Sequence, residues 1–153
     1  MENRVEVLRQ YIRKLINAEE RGEFYYVNEH MMAVSNFAAM LALKRDLNPE
    51  MATIMGLLHD IHTVLANDPT NHAVLGAIKA REILKELNIL TCEELETVCN
   101  SIHNHSSKAI VQDNYSELLK DADVMAHYLF NVNLPVMQNE VERLGKLRVE
   151  FNF

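Results

Sequence analysis

Apolar residues recur at three- and four-residue steps along most of this 153-residue sequence, with few backbone breakers between them. Only four glycines and three prolines are present, which favours long helices over a turn-rich β fold. The pattern predicts one domain over residues 1–153, an all-α compact bundle of about six to seven helices. The predicted helices span about 2–20, 28–43, 50–66, 70–87, 92–104, 114 or 116–130, and 135–148.

Two capping signals fix helix starts within this pattern. Asn48 precedes Pro49, the order expected of an N-cap residue followed by the first helical position. Thr91 and Glu94 have the spacing of a capping box. The helix that Asn48 would cap reads MATIMGLLHDIHTVLA and is apolar nearly all round, so we expect it to be the central, buried helix.

The charge balance narrows the possible partners. The formal net charge is −7, so a strongly basic face and duplex nucleic acid as partner are not expected. A small anionic substrate stays compatible, because a bound metal ion can reverse the sign of the local field. No signal peptide and no apolar run long enough for a membrane span are recognised, so we expect no membrane association and a cytoplasmic location.

Histidine placement suggests a metal site. All seven histidines fall between residues 30 and 127, and histidine is the commonest protein metal ligand. His59 and Asp60 lie late on the most apolar predicted helix, where a carboxylate is costly unless it is paired or metal-bound. Taken alone, this dipeptide is common and favours a structural explanation, in which Asp60 forms a salt bridge or cap and His59 is merely packed.

The segment GLLHDI, which contains this dipeptide, resembles the signature of the HD-domain superfamily. His30 in EHMMAVSNFAAMLA is similar to the family's upstream histidine, and Asp123 in LLKDADVMAHYL to its downstream aspartate. His72 in HAVLGAIKAREIL and His105 in SIHNHSS match two further family histidines. The resemblance covers roughly residues 28–130, with the predicted helices 2–20 and 135–150 flanking this metal-binding core.

The resemblance implies a metal centre of one or two divalent transition-metal ions, Mn, Fe, Zn, Co or Ni. The first ion would take His30, His59, Asp60 and Asp123. A second would take His72 and His105, with Asp60 bridging the pair. The roles of His62, His103 and His127 stay open.

The resemblance also implies a phosphohydrolase acting on a nucleotide or another small phosphate ester or anhydride. Metal-activated hydroxide would attack phosphorus, with His59 and Asp60 as catalytic metal ligands. Lys108 is the first candidate for a cation that stabilises charge on the substrate, ahead of Lys79 and Lys120. The HNHS…LLKDAD stretch most resembles small bacterial nucleotide pyrophosphohydrolases.

Two other functions are compatible with these residues. Di-iron oxygenases on the same fold, such as myo-inositol oxygenase, use a similar set of histidine and aspartate ligands. A non-catalytic nucleotide-binding or sensing module would keep the bundle without turnover. A homodimer is possible, and the apolar C-terminal VEFNF is one candidate contact.

Overall fold

The computed structural model describes residues 3–18, 22–23 and 26–153, and the chain forms eight α-helices and no strand within them. The all-α fold class is therefore confirmed, with one helix more than the upper predicted number. The helices are α1 (Arg4–Ala18), α2 (Val27–Lys44), α3 (Pro49–Leu58), α4 (Ile61–Ala66), α5 (His72–Leu87), α6 (Cys92–Asn104), α7 (Asn114–Phe130) and α8 (Val141–Phe151).

The additional helix arises because the single helix predicted over 50–66 is interrupted. The interruption falls at His59 and Asp60, where Asp60 has φ −113° and ψ 18° and leaves the helical region. Neither residue is a recognised helix breaker, so the prediction from apolar periodicity was wrong here. The break lets two adjacent side chains approach the same cavity, which a continuous helix would turn about 100° apart.

Other helix boundaries follow from their caps. The Asn48 side chain accepts hydrogen bonds from the backbone N–H groups of Glu50 and Met51, and Thr91 forms the predicted capping box. Helix α7 begins at Asn114 behind the N-cap Asp113. The last helix begins at Val141 and not near Pro135, because residues 131–140 form an irregular segment between α7 and α8. Residues 2 and 19–20 of the predicted first helix lie outside the residues that the structure describes.

The buried centre of the bundle is α3, which packs against α1, α2, α5, α6 and α7. A Cβ atom on Gly56 of α3 would lie 2.4 Å from the Cα of Ser35, so only glycine allows α2 and α3 to approach this closely. A Cβ on Gly76 of α5 would lie 2.8 Å from the carbonyl oxygen of His59. Both glycines therefore help to hold the end of α3 in place. None of the described helices is long and apolar enough to cross a membrane.

We expect Gly56→Ala and Gly145→Ala to change stability in opposite directions. Gly145 lies on the exposed side of α8, where an added methyl group would have no neighbour within 4 Å, so alanine there should stabilise by up to about 1 kcal/mol through helix propensity. Alanine at Gly56 would collide with the α2 backbone and should destabilise by about 1–3 kcal/mol. Urea unfolding of metal-free protein measures both, and a stabilised Gly56→Ala variant would contradict the close packing of α2 on α3.

Candidate metal centre

Four helix termini and one helix interior bring six predicted ligands together. His30 lies in the first turn of α2, His72 begins α5, His105 follows the end of α6, and His59 and Asp60 occupy the α3–α4 break. Asp123 comes from the middle of α7. A cavity of about 880 Å³ is lined by all of them except His59, which is completely buried beside it.

The carboxylate of Asp60 is shared between two groups of histidines. In one group its oxygen lies close to ring nitrogens of His30 and His59, and in the other to those of His72 and His105, with all ligand atoms of each group within 4.8 Å of one another. Oδ2 lies 3.4 Å from Nε2 of His59. Oδ1 lies 3.5 Å from Nε2 of His105 and 3.9 Å from Nε2 of His72. A carboxylate between two imidazole groups has the arrangement of a bridging ligand.

Asp123 is held from both sides. Its Oδ1 accepts a 2.9 Å hydrogen bond from Nε2 of His30 and lies 4.0 Å from Nε2 of His59. Its Oδ2 forms a buried ion pair with the ammonium of Lys108. One oxygen thus faces the histidines while the other is fixed by a lysine.

Backbone carbonyls orient three of the histidine rings. Nδ1 of His59 lies 2.9 Å from the carbonyl oxygen of Gly56, and Nδ1 of His105 lies 2.7 Å from that of Ile102. Nδ1 of His72 lies 3.2 Å from the carbonyl oxygen of Pro69. Since a carbonyl only accepts, Nδ1 carries a proton in each ring, and Nε2 of each ring is left near the Asp60 carboxylate as a possible ligand atom. Metal-ligating histidines usually donate their other ring N–H to an oxygen in this way, which fixes the orientation of the ring.

Two buried polar atoms at the centre lack hydrogen-bond partners. They are Nε2 of His59 and Oδ1 of Asp60. An unsatisfied buried polar atom costs about 1–3 kcal/mol, so such atoms are rare in native proteins. Both are good ligand atoms for a transition metal, and the mixed imidazole and carboxylate donor set is also suitable. The residues present therefore fit a divalent metal ion.

The electrostatics of the centre favour a cation. Burial opposes ionisation of Asp60, but the charge of His59 and the contacts of His105 and His59 outweigh it and hold the pKa of this carboxyl well below its usual range. Burial is likewise outweighed at Asp123, where Lys108 and then His30 keep the pKa well below the usual value. The two carboxylates in turn raise the pKa of His59 against the effect of its burial. A field that attracts a proton to His59 attracts a metal ion in the same way.

Lys108 lies behind Asp123 and not on the cavity wall. Its side chain is buried, and its ammonium also donates a 2.9 Å hydrogen bond to the carbonyl oxygen of His105. The alternatives lie elsewhere: Lys79 pairs with Glu82 at the surface, and buried Lys120 donates to the carbonyl oxygen of Ile110 and to two side chains. The predicted contact of Lys108 with substrate stays untested, and its observed partner is the carboxylate of Asp123, one of the predicted ligands.

His127 and Glu140 extend the centre, and the sequence indicated only the first of these two residues. The His127 ring stacks on that of His30 with centroids 4.7 Å apart, and its Nε2 lies 3.6 Å from Oδ1 of Asp123. Nδ1 of His127 donates a 2.9 Å hydrogen bond to buried Glu140. His30, Asp123 and His127 thus form a third group of possible ligand atoms. His127 carried a sequence signal, one turn after Asp123, whereas Glu140 follows an irregular segment and carried none.

The two remaining histidines lie apart from this cluster. His103 is exposed on α6, and His62 is half-buried on α4. Neither lines the cavity or belongs to a group of possible ligand atoms within the described residues.

Comparisons with known proteins show sequence similarity to two curated relatives. The chain is 29% identical over 122 residues to ribonuclease Y of Opitutus terrae, a match that covers 79% of this chain and 22% of the relative. It is 31% identical over 98 residues to ribonuclease Y of Chlorobium luteolum, covering 64% of this chain and 17% of the relative. The chain thus spans about a fifth of the length of these relatives. No solved structure matches significantly.

The HD domain family matches residues 27–127, from the start of α2 to His127 on α7. This range contains all six residues that the resemblance assigned to the metal, and it confirms the resemblance itself. The chain belongs to the HD-domain family.

Proposed function

We propose that the protein is a metal-dependent phosphohydrolase that acts on a small phosphate ester or anhydride, nucleotides included. The observation that carries this proposal is the position of Asp60 between two groups of histidines. One oxygen of Asp60 and Nε2 of His59 have no hydrogen-bond partner among the described residues. His30, His59, Asp60 and Asp123 would hold one divalent ion. His72 and His105 would hold a second, with Asp60 shared.

The chain itself supplies orientation and charge for this chemistry. A metal ion bound there would provide an activated water near neutral pH and Lewis-acid stabilisation of a phosphoryl oxygen. Asp60 and Asp123 stay ionised because their pKa values are held low. The backbone carbonyls fix the imidazoles before a ligand arrives. We assign Lys108 a positioning role through Asp123, in place of direct contact with substrate.

A phosphodiester of RNA is the second candidate substrate, and the two ribonuclease Y relatives are the observation that favours it. The net charge of −7 weighs against a long polyanionic strand. Short RNA oligonucleotides therefore belong beside nucleotides and phosphate monoesters in any substrate panel. The homodimer and the cytoplasmic location stay predictions.

Asp60→Asn should abolish stoichiometric metal binding, because it removes the charge shared by two ligand groups. We expect metal affinity to fall by more than the roughly 10–100-fold loss that is typical when a hydrogen-bond partner of a metal ligand is removed. Asp46→Asn is the matched control, since Asp46 is exposed and its φ of 54° suits asparagine. Elemental analysis and calorimetric titration with Mn²⁺ measure the effect.

The same preparations test the activity. Phosphate release by metal-loaded wild type and the Asp46→Asn control, but not by Asp60→Asn, would support the hydrolase. Two tightly bound irons with oxygen consumption and no phosphate release would establish the oxygenase instead. Nucleotide binding without metal and without turnover would support the sensing module.

Lys108→Met should destabilise the metal-free protein by about 3–5 kcal/mol, because it leaves the buried Asp123 carboxylate without its counter-charge. Bound metal would supply a replacement charge, so we expect metal to raise stability more in the variant than in wild type. Lys146→Met is the control, since Lys146 pairs with Glu142 on the open surface and should show no measurable change. Urea unfolding with EDTA and with Mn²⁺ measures both, and an equal gain from metal in wild type and variant would contradict the proposed link.

A further inference from the structure

One wall of the cavity beside Asp60 is apolar and open to solvent. The irregular segment 131–140 contributes Leu134, Val136 and Met137 to it, and α2 contributes Phe37. Leu134 and Met137 remain 56% and 48% exposed. Large apolar side chains left exposed around a cavity indicate a surface that a ligand covers.

The charged groups of the cavity are distributed unevenly. Four carboxylates line it, those of Glu29, Asp60, Asp123 and Glu140, and no lysine or arginine does so among the described lining residues. Lys108 already neutralises Asp123, so one divalent ion would leave these carboxylates net negative and two would leave about one positive charge. A triphosphate chain, which carries three to four further negative charges, is normally bound by arginine and lysine side chains. The cavity has no such groups to offer.

We propose that the substrate is a phosphate monoester whose alcohol part is uncharged and aromatic or otherwise apolar. The phosphoryl group would lie at the Asp60 and Asp123 end, and the alcohol part against Phe37, Leu134 and Met137. This inference rests on the proposed hydrolase function and narrows its substrate class. A volume of about 880 Å³ falls within the usual range for small-molecule sites, roughly 300–1,000 Å³.

The reaction that follows is a simple hydrolysis. A water oxygen forms a bond to phosphorus while the bond between phosphorus and the alcohol oxygen breaks. One proton of the water ends on the alcohol oxygen and the other stays on the phosphate, so ester dianion and water give neutral alcohol and monohydrogen phosphate. No oxidant, reductant or other co-reactant is required.

Binding tests the proposal independently of turnover. Naphthylmethylphosphonate presents an aromatic group on a carbon–phosphorus bond that hydrolysis does not cleave, and methylphosphonate lacks the aromatic group. We expect Mn²⁺-loaded protein to bind the naphthyl compound at least about tenfold more tightly in calorimetry, from the apolar area it covers. An ATP analogue with methylene groups in place of both the α,β and the β,γ bridging oxygens, which blocks hydrolysis at both anhydride bonds, should bind more weakly than the naphthyl compound.

A matched pair of double variants locates the effect. Leu134→Gln/Met137→Gln makes the cavity wall polar, while Leu43→Gln/Met40→Gln makes the same changes at exposed α2 positions outside the cavity. Only the cavity double variant, Leu134→Gln/Met137→Gln, should lose the preference for naphthylmethylphosphonate over methylphosphonate. With 1-naphthyl phosphate as substrate, this double variant should show a KM about tenfold higher and a kcat within about twofold of wild type.

Each outcome separates this inference from the hydrolase proposal. Tighter binding or faster hydrolysis of the triphosphate, or of a short RNA, would overturn the inference while the hydrolase stands. The expected binding preference without hydrolysis of 1-naphthyl phosphate would overturn the hydrolase and support the assigned ligand class. A cavity double variant that changes the oligomeric state in sedimentation and leaves phosphonate binding unaltered would show that the apolar wall contacts a second copy, and would overturn the inference.

Discussion

The arrangement of the centre depends on one carboxylate placed at a break in the most buried helix. Asp60 follows seven buried residues of α3, a position where a charge is costly without compensation. Its compensation comes from imidazoles that reach it from α2, α5 and α6, and each of those helices must end or begin at the same place for this to happen. Gly76 serves this requirement, because a larger residue would push α5 away from the carbonyl of His59.

The two aspartates of the centre are stabilised differently, and this difference shows which of them indicates metal binding more strongly. Asp123 lies within α7, and its Oδ2 is neutralised by Lys108 on the side away from the cavity. Asp60 has no lysine or arginine partner among its described contacts, and its Oδ1 has no hydrogen bond. A charge paired with lysine is stable as it stands. A carboxylate compensated only by imidazoles needs a cation among them, either a proton on a ring such as His59 or a metal ion that the rings share. Asp60 therefore carries the stronger indication of metal binding.

Much of the fold and of the candidate site could be predicted from the sequence, because the sequence signals involved are local. Asn48 and Thr91 cap the helices they were predicted to cap, since a cap involves residues only two or three positions apart. Spacing and resemblance predicted which histidines would be ligands, and the fold brings these histidines together.

The break at Asp60 was missed because no glycine or proline marks it. The segment 131–140 and the contact of Glu140 with His127 were missed because they depend on how α8 returns to the bundle, which periodicity does not encode. The contact of Lys108 with substrate stays a prediction, and its sequence position could not show on which side of Asp123 the side chain lies.

The charges that line the cavity also determine how a bound metal ion would contribute to phosphate binding. Without metal, the cavity presents four carboxylates and neutral or cationic imidazoles, a combination that repels a phosphate dianion. Lys108, beside the centre, already forms an ion pair with Asp123. On the proposed function, affinity for the phosphate would therefore come from bound cations, and affinity for the rest of the substrate would come from the apolar wall around Met137. The two halves of the cavity would then recognise two chemically different halves of one ligand, and neither half could substitute for the other.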